Sequence, residues 1–127
     1  MAGKLTNKNK NESKANKLTR VQNIEFKIAI AHSLENRYCF KDLKREGLIA
    51  FNAFIEATVG RKLTISQVDK LFLRKRGDVK QTLSVQGVQK EVVHYGKDRT
   101  SFRIFGYYNS DGYFVLTHID QNHKVNS

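Results

Sequence analysis

Proline and tryptophan are absent from the 127 residues, and cysteine and methionine occur once each. The single thiol, Cys39, excludes an internal disulfide framework and fits a reducing compartment. Without proline, chain reversals must be signalled by Gly, Asn, Asp and Ser alone. Long apolar runs are missing too. The longest uninterrupted aliphatic stretch is 28–31 (Ile-Ala-Ile-Ala), far short of the roughly 20 residues a bilayer span needs. No apolar signal-peptide core stands at the N-terminus, so the expectation is a cytoplasmic protein with no membrane partner. Metal-ligand spacing is lacking, because His118 and His123 are five apart and Cys39 is remote. There is no phosphate loop, dinucleotide fingerprint, nucleophile elbow or HExxH helix, so neither a metal nor a cofactor is expected.

Acidic residues are scarce as well: 12 Asp and Glu stand against 23 Lys and Arg, a formal charge of +11 at pH 7. A charge of that size on so short a chain speaks about partners, and a polyanion such as nucleic acid or an anionic membrane surface is the leading one. The length fits one domain with an extra segment. That segment is 1–22, which carries Lys4, Lys8, Lys10, Lys14, Lys17 and Arg20 against Glu12 alone, a net +5. Its sizeable apolar groups, Leu5, Leu18 and Val21, are too few to offset the entropy of ordering it. It reads as a disordered basic arm. Such an arm is either a solvated tail or a segment that follows a polyphosphate and releases its counterions. Residues 23–124 then form a single domain, and 125–127 a tail.

Within the domain, Ile24, Phe26, Ile28 and Ile30 alternate with Glu25, Lys27 and Ala29, the period of a strand over 23–31. Ser33 stands where a helix N-cap would, with Glu35 in the first turn. Leu34, Tyr38, Leu43, Leu48, Phe51, Ile55 and Val59 then recur at helical spacing, with Gly47 as a bend or break and Gly60 as the stop. Cys39 falls mid-helix on this reading and packs. Thr64-Ile65-Ser66-Gln67 is a capping box that opens a second, short helix, which runs into the basic cluster Arg74-Lys75-Arg76. The last third changes period. Strands are expected at 83–85 and 92–95, broken at Gln86-Gly87, and at 101–108 and 113–119 around Asn109-Ser110-Asp111-Gly112. Gly112 is expected at positive φ. The sum is an α+β fold: strand, two helices, then a closing antiparallel sheet in a two-layer sandwich.

The final hairpin concentrates the chemistry. A two-residue turn puts Phe102, Ile104, Tyr108, Tyr113, Val115 and Ile119 on one face, with Gly106 and Thr117. Arg103, Phe105, Tyr107, Phe114, Leu116 and His118 share the other. Arg103 meets His118 in one register and Asp120 in the other. A guanidinium, a phenol and an imidazole on one face suit a phosphodiester: Arg103 for the phosphate oxygens, Tyr107 and His118 for stacking and proton movement. RNA supplies its own nucleophile, the 2′-hydroxyl, so no metal is needed. The alternative is structural, with Arg103 salt-bridged in the sheet and His118 hydrogen-bonded and partly buried. Lys97, Arg99 and Lys124, together with Arg74, Lys75 and Arg76, would extend a basic surface.

The strand IEFKIAIAHSL, the segment FKDLK, a short second helix and SFRIFGYY-NSDG-YFVLTHI together resemble the RelE/HigB-like toxins of bacterial toxin–antitoxin pairs. The penultimate strand of that family often reads like Tyr-Arg-Val-Phe-Tyr-Phe, matched here at Arg103 and its apolar flanks. Over about residues 23–124, the resemblance implies an endoribonuclease that cleaves free or ribosome-associated mRNA by 2′-hydroxyl attack without a cofactor. It also implies a small acidic antitoxin that covers the site. Lys124, with a shift, would stand for the lysines that follow the family's last strand. A basic protein of phage or plasmid type, binding nucleic acid or a nucleoprotein complex without catalysis, is the other reading of the same residues.

Overall fold

Residues 24–29 leave the chain start as extended backbone because their apolar side chains alternate. Phe26 is buried, and Ile24 and Ile28 pack against the same cluster. The computed structural model describes residues 23–74, 81–97, 99–122 and 124–125; the expected arm 1–22 lies outside them. The first stretch of this extended chain pairs with the loop before the second helix, through Phe26 N to Leu63 O (2.8 Å) and Ile65 N to Ile24 O (2.9 Å). Only then does it join the sheet, as the two-residue strand β1 (Ile28–Ala29). The expected strand over 23–31 is therefore shorter, and Ile30 has already turned out to solvent.

The remaining strands are β2 (Gln81–Val85), β3 (Val88–Gly96), β4 (Arg103–Tyr108) and β5 (Phe114–Asp120). The sheet order is β1-β5-β4-β3-β2. β1 runs parallel to β5 and all other neighbours are antiparallel, so the sheet is mixed rather than purely antiparallel. Among the described residues two α-helices, α1 (Arg45–Ala57) and α2 (Ile65–Phe72), stand with this sheet, an α+β fold. They pack on one sheet face: Phe51, Phe54, Ile65 and Val68 join Val93, Tyr95, Ile104, Phe114, Leu116 and Ile119 in a single buried cluster. α2 opens on the expected capping box, with Thr64 Oγ1 accepting from Gln67 N and Gln67 Oε1 accepting from Thr64 N.

The expected long helix over 34–59 is corrected. Residues 30–39 are not helical; a 3-10 turn covers Phe40–Asp42, and α1 begins only at Arg45. Ser33 caps nothing, and Gly47 sits in the first turn of α1 rather than breaking it. The reason lies in β5, whose outer edge outlasts the two residues of β1. Backbone from 35–38 completes it instead, with Glu35 N donating to Thr117 O (2.9 Å) and Ile119 N to Tyr38 O (2.8 Å). Cys39 is the residue before the 3-10 turn, and its thiol donates to Glu35 O (3.1 Å).

The face assignment of the last hairpin is corrected in half of its length. Tyr108 pairs with Phe114, leaving a loop in which Gly112 N donates to Asn109 O (3.0 Å) and Gly112 sits at φ 81°. That is three loop residues, 110–112, not two. The extra residue shifts the near half by one, so Phe114 and Leu116 join the helix-covered face and Val115 lies opposite Tyr107. Between Phe105↔His118 and Gly106↔Leu116 the register shifts again, at a bulge formed by Thr117. Beyond it Ile104 meets Ile119 and Arg103 meets Asp120, as one of the two expected registers had it. Gln86 (φ 52°) and Gly87 (φ 79°) form the expected turn between β2 and β3.

Candidate nucleic-acid interface

Arg103, Phe105, Tyr107 and His118 share the sheet face turned away from the helices, as their strand parity demands. That face is far from open. Its middle row is four rings wide: His94 stacks on Phe105 at 4.7 Å, Phe105 meets His118 at 5.4 Å, and His118 meets Tyr38 at 5.4 Å. Val85, Val92 and Phe105 form a small apolar cluster beneath, with Leu83, Tyr107 and Val125 packed on it. Val125, expected in the tail, thus belongs to the domain.

Arg103 is 6% exposed. Its Nη1 donates to the carbonyls of Thr100 (2.7 Å) and Phe102 (2.7 Å), and at 3.5 Å to that of Lys97. The side chain reaches them over Gly96, where an added Cβ would lie 2.5 Å from Arg103 Cδ. The guanidinium therefore ties down the loop between β3 and β4. Asp120, its partner across the ladder, accepts from Lys124 N (2.9 Å) and Val125 N (2.8 Å) and holds the chain end in the same way. His118 is 9% exposed, with Nδ1 2.8 Å from Thr117 Oγ1. Burial pushes its pKa below the ordinary imidazole value, against a weaker upward pull from Glu35 and Asp120.

Tyr107 is the accessible member of the expected trio. Its hydroxyl lies 2.9 Å from His32 Nε2, the two rings stack at 5.8 Å and 15°, and Lys90 Nζ sits 5.0 Å from the phenol centroid. Tyr107 and Arg103 stand four residues apart on β4, about 13 Å of strand, with His118 beside Phe105 between them. The three share a face without converging on one point.

Four of the expected cations fall at one end of the sheet. Lys97 and Arg99 sit in the β3–β4 loop that Arg103 braces. Arg74 lies alongside, its N donating to His94 O (3.1 Å) and its Nη1 to Gly96 O (3.4 Å). Lys124 is held at the same end through Asp120. Lys75 and Arg76, which follow Arg74 directly, lie outside the described residues, as do Lys8, Lys10, Lys14, Lys17 and Arg20.

Two clefts flank this end. One is polar, of about 320 Å³, with Arg37, Lys44 and Lys124 facing Asp42 and Asp120. The other is apolar, of about 330 Å³, between α1 and the β3–β4 loop. The sequence reading missed His32 and Lys90, which meet at Tyr107, and Tyr38, which meets His118; the path of 30–39 that places His32 and Tyr38 is not written in local spacing. It also missed the apolar cleft, whose signal was the helical spacing of Ala50, Ala53 and Ala57. No helix among the described residues is long and apolar enough to cross a membrane. In comparisons with known proteins, no family model, no curated protein and no solved structure matches the chain.

Proposed function

We propose that this protein binds single-stranded RNA through the basic end of its sheet. The observation that carries the reading is the placement of Arg74, Lys97, Arg99 and Lys124 at one end of the sheet in a protein with a charge of +11. Phosphates neutralise such a cluster and release their counterions. A loop-and-sheet surface with rings nearby suits unpaired bases better than a duplex groove. In this reading Arg103 is a positioning residue: it fixes the loop that displays Lys97 and Arg99. The arm adds affinity that depends on salt but not on sequence.

Fluorescence anisotropy with a labelled RNA oligomer, run across a salt series, tests this. Replacing Lys97 and Arg99 with Ala should weaken binding and flatten the slope of log K against log salt by about 0.7 for each lost phosphate contact. Removing 1–22 should do the same while the melting curve stays put. Salt-independent binding, or none, overturns the reading.

A second reading is a metal-independent ribonuclease of the toxin kind that the sequence resembles. The observation in its favour is Tyr107, hydrogen-bonded to His32 beneath the Lys90 ammonium. A phenol and an imidazole in contact can exchange protons with the attacking 2′-hydroxyl or the leaving 5′-oxygen. Inducible expression of wild type beside Tyr107→Phe, with primer extension on cellular transcripts, decides it. Intact transcripts with the wild-type protein remove this reading and leave the binding protein.

A further inference from the structure

The apolar cleft at the basic end is built by a pattern that core packing alone does not require. Ala50, Ala53 and Ala57 lie along one side of α1 and form a floor of small side chains. Phe54, Phe72 and Phe102 supply ring walls, with Phe54 and Phe72 edge to face at 5.3 Å. Larger residues at the alanine positions would close the space. As it stands, about 330 Å³ is open to the surface.

The rim has a chemistry of its own. Lys97 lines the cleft and is its one charged lining residue among the described residues; Thr100 stands beside it. Arg103 braces the carbonyls of both Thr100 and Phe102, so the rim is held from beneath rather than left to drift. Arg99 lies in the same loop, and Arg74 is bonded to Gly96 next to Lys97. The occupant must therefore be flat enough for an alanine floor between phenyl walls, and attached to negative charge at the mouth. An unpaired nucleobase on its ribose-phosphate backbone meets both demands. Base–aromatic contact and phosphate neutralisation are separate sources of affinity, and this end of the molecule offers both within one loop.

We infer that the cleft between α1 and the β3–β4 loop takes one unpaired nucleobase of a bound RNA strand, with the flanking phosphates on Lys97 and Arg99. This rests on the RNA-binding reading and adds a base subsite to it. The consequence is that the protein distinguishes RNA from a bare polyanion of equal charge.

The test compares a labelled uridine decamer, an adenosine decamer and an abasic ribose-phosphate decamer at one salt concentration. Wild type should bind at least one of the base-bearing strands roughly 5- to 100-fold more tightly than the abasic strand. Ala53→Leu fills the floor at an exposed helix position and keeps helix propensity. It should lower the base-bearing affinity to the abasic value and leave the abasic affinity unchanged. Lys97→Ala should weaken all three. As a readout that needs no variant, a 5-iodouridine decamer should photocross-link to Phe54, Phe72 or Phe102. Equal affinity for base-bearing and abasic strands, or cross-links only outside the cleft, overturns the base subsite while the RNA-binding reading stands. Failure to bind any of the three strands overturns both. If Ala53→Leu leaves RNA affinity intact but abolishes self-association on gel filtration, the cleft belongs to a second copy of the chain and the base subsite is wrong.

Discussion

Both faces of the sheet hold buried residues, but the outer one sets buried charged and imidazole side chains beside its apolar cluster where the inner one is almost wholly apolar. Beneath the helices, Phe26 touches Phe54, Tyr95 and Phe114 at ring separations of 5.6–6.1 Å. The polar atoms there are few and tightly paired, with Tyr95 OH 2.5 Å from Asp69 Oδ1 and 2.6 Å from Tyr108 OH. On the other face Arg103, His118 and Asp120 are each under a tenth exposed, in the same range as the aliphatics opposite. Arg103 Nη1 donates to loop carbonyls, His118 Nδ1 meets the neighbouring Thr117 hydroxyl, and the Asp120 carboxylate accepts from the amides of Lys124 and Val125. Burial alone therefore does not identify the core. The inner face earns its stability from area and ring packing, whereas the outer face uses polar side chains to fix loops that carry the basic surface.

The sharpest way to break this contrast is Phe114→Ala, which empties the centre of the ring cluster. A loss of about 3–5 kcal/mol in urea denaturation is expected; a loss under about 1 kcal/mol would mean the inner face is not the core. On the outer face, Arg103→Ala removes charge-assisted donors from the Thr100 and Phe102 carbonyls and should lower stability by about 1.5–3 kcal/mol. It should also weaken RNA binding by loosening Lys97 and Arg99, with partial recovery in Arg103→Lys. Unchanged melting in Arg103→Ala would return the guanidinium to a direct role on phosphate.

Tyr95→Phe tests whether the inner face depends on the Asp69–Tyr95–Tyr108 network, and a smaller loss of about 1 kcal/mol is expected. Burial, reinforced by Asp69, raises the Tyr95 phenol well above the usual range, and burial does the same to Tyr108. For acids held neutral in this way the stabilisation is complete below the ordinary phenol pKa of about 10 and is lost as pH rises beyond it. Alkaline titration followed at the tyrosinate band should show these phenols ionising only as the protein unfolds. The weakest effect belongs to His118. Its pKa is depressed in the folded state, so the unfolded chain takes up the proton first. Stability should decline as pH falls through about 6.5 toward the lower folded value, and His118→Gln should flatten that decline. A wild-type curve flat on the acid side would show that the imidazole is not desolvated.

What the sequence made legible was local. The Thr64 capping box, the Gln86-Gly87 turn and the positive φ of Gly112 each rest on a few adjacent residues whose backbone demands are met within the segment. The two helices and the four longer strands could be read from periodicity. The misreadings have a common cause: they needed knowledge of what lies beside the segment. Residues 34–39 have helical spacing, yet the unfilled edge of β5 claims their backbone. The hairpin faces depend on a loop one residue longer than a two-residue turn and on a bulge in the opposite strand. Of the site, the basic residues and the shared face of Arg103, Tyr107 and His118 could be read in advance. The contacts of Arg103 with the loop carbonyls could not, because nothing local says which way a long side chain will turn.

The bulge at Thr117 has a consequence for how this strand can vary. Leu116 and Ile119 face the helices while His118 and Asp120 face away, so β5 reads as a regular alternating strand with one letter too many. Thr117 is the residue whose excision would leave every other side chain of β5 on its present face. Removing Leu116 or His118 instead would keep the alternation only by moving Thr117 onto the face of the residue lost. Excision would still take away the carbonyl that receives Glu35 N, so the first casualty would be the path of 34–38 and not the sheet. Among diverging copies of this chain, a length change tolerated within β5 should fall at Thr117, accompanied by compensating change in the segment that leans on it.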